Sequence, residues 1–332
     1  MKSDQQSRKI LVTGGCGYIG SHVTRQLSEN GFRPVVLDDM SAGFPEFLLH
    51  GETLVRASCG DREVVEKILR EHHIESVMHF AAAVVVPESV AQPVRYYENN
   101  VVNSLRLIEA CRAAGVRNFI FSSTGSVYGE NAPVPTCETD KAEPTNPYSR
   151  SKWITENMLR DVSAASELRH VILRYFNVAG ADPLGRMGQK SKNATHLIKV
   201  GTEVACGKRE TLKIYGNDFN TEDGTGVRDY IHVDDLADAH LQALRYLDQG
   251  GTSDVFNCGY GRGFSVLQVI KAIERVSGKP LRAEFAPRRP GDISASIADN
   301  RKILNGLGWK PRFDNLDVIV EHALKWESAI GR

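Results

Sequence analysis

At 332 residues the chain has room for about two domains, and a chain of this size buries roughly three quarters of its extended surface, so its core needs no staples. Hydrophobic residues at 41% and charged residues at 25% lie near the globular average, which excludes disordered, collagenous and coiled-coil classes. Lys and Arg number 41 against 41 Asp and Glu, so the chain lacks the basic surplus of a dedicated nucleic-acid binder.

Met1 to Lys9 are polar and charged with no apolar stretch behind a basic start, so no secretory signal is expected. The predicted strands begin with Lys9 to Thr13, Pro34 to Asp38, Thr53 to Ala57 and Ser76 to Phe80. Asn118 to Ser122 and Arg169 to Tyr175 continue the series. Helical periods lie between them at Asp61 to His72, Gln92 to Ala114 and Tyr148 to Ser166. This alternation predicts an α/β fold with a doubly wound parallel sheet. The longest apolar run, Phe80 to Val86, is far below the ~18 residues of a membrane span, so no membrane partner is expected. After Asn177 the texture changes: Gly180 to Asn193 and Tyr215 to Arg228 are long polar loops of the kind that carry function. Helices resume at Asp234 to Leu247, Ser265 to Ser277 and Asp314 to Ser328, which predicts a smaller, mixed and loop-rich second half. Cysteines at 16, 59, 111, 137, 206 and 258 never form Cys-x-x-Cys, and read as buried thiols of a reducing cytoplasm.

Gly14-Gly15-Cys16-Gly17-Tyr18-Ile19-Gly20 follows the first strand and opens a helix. Glycines there allow a tight turn and let backbone N–H groups approach a pyrophosphate at the helix N-terminus; the bland alternative is a plain turn. Asp38 ends the second strand 18 residues after Gly20, near the expected acidic position. A carboxylate there accepts a ribose 2′-hydroxyl and repels a 2′-phosphate, so NAD is expected over NADP, and Asp39 strengthens that bias. In Tyr148-Ser149-Arg150-Ser151-Lys152, a spacing of four puts phenol and ammonium on one helical face. The pair opens the helix after the strand that ends in Ser122-Ser123-Thr124. Lowering a phenol by about three pKa units takes about 4 kcal/mol of phenolate stabilisation, which Lys152 and an oxidised nicotinamide can supply. Tyr148 would then exchange a proton with a sugar or alcohol hydroxyl that Thr124 also holds. An ordinary amphipathic helix face is the competing reading.

These motifs are joined by His79-Phe80-Ala81-Ala82, Tyr96-Tyr97-Glu98-Asn99-Asn100, Arg174-Tyr175-Phe176-Asn177 and the long string from Glu222 to Val233. Together, from about Lys9 to Trp326, they resemble the extended short-chain dehydrogenases, and among them the UDP-glucose 4-epimerase family. The resemblance implies a residue 1–177 NAD-binding domain that takes in about 229–258, and a UDP-sugar-binding domain from about 178–228 and 259–332. It implies a redox cycle in which Tyr148 takes the 4-hydroxyl proton, hydride leaves C4 for NAD, and the 4-keto sugar swings over to be reduced on its other face. It assigns NAD to Gly14, Gly17, Tyr18, Ile19, Gly20, Asp38, Asp39, Ser58, Cys59, Phe80, Ala81, Ala82, Asn99, Ser122, Tyr148, Lys152 and Tyr175. The UDP-sugar falls to Thr124, Tyr148, Asn177, His196, Leu197, Tyr215, Arg228, Arg289, Asp292 and Ser296. Forked arginines suit a diphosphate, and Arg289 lies in Pro287-Arg288-Arg289-Pro290, a stiffened loop. A homodimer is implied through the helix around Tyr96 to Ala114 and the Tyr148 helix.

Three positions depart from the family pattern. Ala57-Ser58-Cys59 replaces the usual Gly-Asp near the adenine. Val84 stands where some members carry a lysine beside the cofactor. Ser296 stands where members restricted to unmodified hexoses carry tyrosine, which leaves room for an N-acetyl group. The cluster of His232, Asp234, Asp235, Asp238 and His240 invites a metal reading, but Asp234 or Asp235 is better read as a helix cap, and no metal is expected. Rival functions are a nucleotide-sugar 4,6-dehydratase, whose acidic pair is replaced here by Gly125-Ser126, a UDP-glucuronate epimerase or decarboxylase, and an NAD-sensing protein without activity.

Overall fold

A computed structural model describes residues 8–191, 194–289 and 291–331. Most of the segment read for a leader, and Pro290 of the stiffened loop, lie outside the described residues. The first half alternates β1 (Lys9–Thr13), α1 (Tyr18–Glu29), β2 (Arg33–Asp38), β3 (Thr53–Arg56), α2 (Arg62–Glu71) and β4 (Ser76–His79). It continues through α3 (Val86–Ala91), α4 (Pro93–Tyr97), α5 (Asn103–Ala113), β5 (Asn118–Ser122), α6 (Pro147–Ala164) and β6 (Arg169–Tyr175). The second half holds β7 (Asn177–Ala179), α7 (Leu197–Ala205), β8 (Leu212–Tyr215), β9 (Val227–His232), α8 (Val233–Asp248) and β10 (Asp254–Cys258). It ends with β11 (Gly263–Ser265), α9 (Val266–Ser277), β12 (Ala283–Ala286), β13 (Ala295–Ser296), α10 (Arg301–Gly306) and α11 (Leu316–Ala329).

The inner strands β1, β2, β4, β5 and β6 are buried along nearly their whole length because a parallel sheet is covered on both faces, whereas the edge strand β3 is half-exposed. Alternate side chains of β1 divide the core: Ile10 and Val12 pack with Leu27 of α1 and Leu236 and Leu244 of α8, while Leu11 packs with Ile68 of α2, Leu107 of α5 and Leu159 of α6 on the other face. The order β3-β2-β1-β4-β5-β6-β10 is parallel throughout, so the winding reverses between β1 and β4. A crevice opens at the carboxyl ends of strands at such a point.

Three expectations are corrected. The sheet has a seventh strand, β10, outside the six predicted, and it joins by pairing Asp254 to Val171 through Cys258 to Tyr175. The single helix predicted over Gln92 to Ala114 is broken by a π turn, Glu98–Val102, between α4 and α5. The wider turn lets Asn100 donate to the Ala83 carbonyl at 2.9 Å and accept the Ala83 N–H at 2.8 Å, which ties the loop after β4 to the helix. The cap of α8 is His232, whose Nδ1 accepts the Asp234 N–H at 3.0 Å. Asp234 instead accepts from Arg25 at 2.8 Å, and Asp235 accepts from the Tyr260 hydroxyl and the N–H groups of Arg312 and Phe313.

In the second half, β9 pairs with β7, β11 and β13, while β8 and β12 form a separate parallel pair. One residue, Phe176, separates β6 from β7.

Candidate active site

The glycine loop is held by its own close packing. Gly14, at φ +70°, donates to the Leu37 carbonyl at 2.8 Å, and a Cβ on it would come within 2.7 Å of the Ala81 nitrogen. A Cβ on Gly20 would overlap the Gly14 carbonyl oxygen. These approaches bring Gly14, Gly17, Gly20, Phe80 and Ala81 together, with the Phe80 N–H bonded to Thr13. Helix α1 starts behind Gly17 with no side-chain cap and no acid in its first turn, so its first N–H groups face the loop unneutralised and suit a pyrophosphate. The Tyr18 hydroxyl donates to the Gly180 carbonyl at 2.7 Å, and Ile19 packs into the core, so these two reach the crevice through their backbone.

Asp38 is buried at the end of β2. Burial raises its pKa, while N–H donors from Met40 and Cys16, each 2.9 Å away, pull it down. A carboxylate has about four lone-pair sites, so it retains capacity for a ribose hydroxyl. Asp39 is exposed and accepts from Ser41. Ser58 accepts the Gly60 N–H at 3.1 Å, and burial pushes the adjacent Cys59 thiol up to about 12. Ala82 follows in the loop tied by Asn100, and the Asn99 amide donates to Asn100 at 3.0 Å. Val84 is exposed on that loop. The uncapped helix, the glycine approaches and the acid at the end of β2 fit an NAD.

Tyr148 and Lys152 are fixed by a capping box: Asn146 accepts the Ser149 N–H at 2.9 Å, Ser149 Oγ accepts the Asn146 N–H at 3.3 Å, and Pro147 opens α6. Tyr148 is 7% exposed and Lys152 is 3% exposed. Lys152 Nζ donates to the Ser122 carbonyl at 2.9 Å and lies 4.9 Å from the Phe121 ring centre. Burial lowers this ammonium to about 8, with Cys59 and Glu156 opposing. Burial, helped by the neighbouring Tyr175 phenol, pushes Tyr148 well above its usual value of 10.0, and the Thr124 hydroxyl pulls the other way. The sequence reading expected a lowered phenol, and the chain by itself does the reverse: the lysine nitrogen is bonded to Ser122, and desolvation dominates. The cation and the cofactor charge therefore have to overcome burial. Thr124 caps the turn Gly125–Tyr128 through the Ser126 N–H at 3.2 Å.

Residues outside the predicted set support this group. Glu156, fully buried two turns along α6 from Tyr148, accepts from Ser123 at 2.6 Å and from Arg174 at 2.6 and 3.0 Å, and its second face takes Arg160 at 3.0 Å. His79 is buried between Thr13 at 2.6 Å and Ser104 at 2.8 Å, and burial lowers it to about 3. The only sequence signal for Glu156 is its place on the face of Tyr148 and Lys152.

The remaining residues that the sequence reading gave to the UDP-sugar form two groups. Asn177, His196 and Leu197 line one cavity with Gln189 and Trp326, and the Gln189 amide lies 2.9 Å from His196 Nδ1. Around β9, the Arg289 guanidinium sits 4.7 Å from the Tyr215 ring and bonds Asp292 at 2.9 and 3.2 Å. Arg228 is pushed down by burial, with Tyr230 and Asp292 opposing and Arg289 adding to the fall, so these charges share one neighbourhood. Ser296 pairs directly with Arg228 in the sheet. Among the described residues, no group of three His, Cys, Asp or Glu side chains is placed to hold a metal ion.

Strand order, glycine loop and buried Tyr148–Lys152 helix define a dinucleotide-binding α/β protein of the short-chain dehydrogenase type. The chain belongs to the NAD dependent epimerase/dehydratase family, whose profile matches residues 10–259. It is 52% identical over 324 residues to the UDP-glucose 4-epimerase of Azospirillum brasilense, covering 98% of this chain and 93% of that one. The UDP-glucose 4-epimerase of Brucella ovis, solved in complex with NAD, superposes with a TM-score of 0.94 at 38% identity, covering 97% of this chain and 98% of that one. The UDP-Glc/GlcNAc 4-epimerase of Campylobacter jejuni superposes with a TM-score of 0.85 at 46% identity, covering 96% and 99%.

Proposed function

We propose that the protein interconverts UDP-hexoses that differ at C4, with NAD as a bound redox cofactor. The observation that carries this reading is the buried Tyr148 phenol on the face of the Lys152 ammonium, beside Thr124 at the end of β5. Bound NAD supplies the hydride acceptor and donor for sugar C4; the chain handles the proton. Tyr148 takes it from the 4-hydroxyl and returns it, Thr124 orients the same oxygen, and Lys152 stabilises the phenolate. Arg228 and Arg289 offer the diphosphate forked cationic donors. On this reading residues 1–177 with about 229–258 hold the dinucleotide, and about 178–228 with 259–332 hold the nucleotide sugar. Purified protein mixed with UDP-galactose and no added cofactor should yield UDP-glucose, and Tyr148→Phe should lose about 10²- to 10⁴-fold in kcat. An inactive protein that still binds NAD would make the sensor reading correct.

N-acetylated UDP-hexoses are a second substrate class on this reading, supported by the small Ser296 beside Arg228 and by the Campylobacter jejuni relative. Ser296→Tyr should reduce turnover of UDP-N-acetylglucosamine relative to UDP-glucose; an unchanged ratio refutes it. Turnover on UDP-glucuronate would favour the uronate alternative.

A homodimer through α4, α5 and α6 is supported by apolar side chains left facing solvent there, among them Val94 at 69% exposure, Leu105 and Ile154. Sedimentation should show a dimer that Val94→Glu weakens. No helix among the described residues is long and apolar enough to cross a membrane. All six cysteines are free, which supports work in a reducing cytoplasm.

A further inference from the structure

Three side chains spaced four residues apart on one face of α6 meet three consecutive residues where β5 ends. Tyr148 lies against the Thr124 hydroxyl, which pulls on its phenol. Lys152 Nζ donates to the Ser122 carbonyl at 2.9 Å, and the Glu156 carboxylate accepts from Ser123 Oγ at 2.6 Å. The first two contacts belong to the proton handling described above. Glu156, fully buried, has no part in it.

The surroundings of Glu156 make it a fixed point. One carboxylate oxygen takes Ser123 and, at 3.0 Å, Arg174 Nε; the other takes Arg174 Nη2 at 2.6 Å and Arg160 at 3.0 Å. Arg174 comes from β6, and its guanidinium lies 4.8 Å from the Tyr128 ring centre and 5.4 Å from that of Trp153, which holds its plane. A carboxylate has about four lone-pair sites, and four donors fill them here. Glu156 therefore keeps no site for a substrate hydroxyl or a transferring proton.

The Thr124 segment is held elsewhere only by contacts that do not reach α6. The Ser123 N–H bonds the Leu173 carbonyl at 2.9 Å, which sets its height against β6 but not its distance from the helix. Beyond Thr124 the turn ends at Tyr128, whose hydroxyl donates to Asn257 of β10 at 2.6 Å. Apart from the contacts of Tyr148 and Lys152, the Ser123–Glu156 bond is the one hydrogen bond among the described residues that joins Ser122–Tyr128 to α6.

We propose that Glu156 is a positioning residue: through Ser123 it sets the separation of the Thr124 hydroxyl from the Tyr148 phenol, so that both reach one substrate oxygen. The proposal rests on the epimerase reading for what that oxygen is. The three contacts themselves belong to the chain and are measurable without turnover.

Ser123→Ala deletes a single oxygen and leaves the Glu156–Arg174 ion pair whole. Crystal structures of the parent and this variant should differ by about 0.5 Å or more between Thr124 Oγ1 and Tyr148 Oη, the tolerance of a preorganised site. An unchanged separation overturns the proposal, whether or not UDP-galactose is a substrate. In turnover, Ser123→Ala should lose about 10-fold in kcat, with KM for UDP-galactose within twofold and bound NAD unchanged, since a misplacement of ~1 Å costs on the order of 100-fold. In a Thr124→Ala background the same change should cost less than about twofold, because the hydroxyl it positions is already gone. A Glu156 that only balances Arg174 requires full activity of Ser123→Ala. That result, a loss that follows lost NAD, or an equal loss in both backgrounds would each overturn the proposal. A parent inactive on UDP-galactose would instead refute the epimerase reading, and the structural comparison would decide the role of Glu156 alone.

Discussion

Replacing Lys152 with methionine keeps most of the buried stem and removes the charge, so it isolates what the ammonium does for Tyr148. The two residues are four apart on α6, where paired Cβ atoms lie about 5–6 Å from each other. A unit charge at ~6 Å in an effective dielectric of about 20 is worth roughly 3 kcal/mol, or about two pKa units on a phenol. Burial already raises Tyr148, and the Thr124 hydroxyl that opposes it is unchanged in the variant, so the loss is not made up. Lys152→Met should therefore slow UDP-galactose turnover about 100-fold at pH 7, with bound NAD measured in parallel so that lost cofactor is read separately. A variant that retains its NAD and works within threefold of the parent would refute the electrostatic argument. The same substitution has a stability signature. The folded ammonium titrates at about 8 against an ordinary 10.5, so the unfolded chain binds more protons between those values. Lys152's contribution to stability then rises with pH across that window, and the methionine variant should lose that slope in urea titrations.

Gly20→Ala puts a methyl against the Gly14 carbonyl and should cost about 1–3 kcal/mol in thermal unfolding, together with retained NAD; a variant of unchanged melting and NAD content contradicts the packing described. Glu156→Gln leaves the buried Arg174 guanidinium without its charge partner and should cost about 3–5 kcal/mol in urea unfolding, against near-neutrality if the pair were wet. Asp182 is pushed up by burial, but the forked bonds from Arg186, its N–H and the charge of Arg25 bring it to about 2, below the ordinary 3.8. Its contribution is complete above 3.8 and is lost as pH falls through about 2. The stability gap between parent and Asp182→Asn should thus shrink from pH 5 to pH 2; a constant gap refutes the assignment.

The strands that resemble one another in apolar density were the legible ones: β5 and β6 coincide with their predicted ranges because both faces are covered. Strand β10 carries Asp254 and Asn257, and what makes it a strand is pairing with β6, some eighty residues upstream, which no local pattern records. Helix α7 hides behind Gly201, a residue that weakens a helix by about 1 kcal/mol. Ile273 packs where a larger side chain at Gly201 would have to sit. The π turn has no local signature, because it is selected by the two bonds Asn100 makes to Ala83. In the site, spacing put Tyr148 and Lys152 on one face, and the strand ending in Thr124 before that helix brought the third residue in. Their electrostatics were hidden, since the direction of the Tyr148 shift depends on how tightly β5, β6 and α6 close over it. Glu156 and His240 were hidden for a related reason: charged and imidazole side chains on helices usually face water, and only tertiary packing shows these two turned inward.

The lone residue between β6 and β7 sets how the protein can open. Tyr175 and Asn177 belong to almost consecutive strands, so the groups assigned to the two ligands are anchored roughly 7 Å apart along one run of backbone. So short a strap bounds how far these two anchor points can separate, whatever the rest of the chain does. A ligand that reaches from one strand to the other would therefore meet two attachment points of nearly constant spacing.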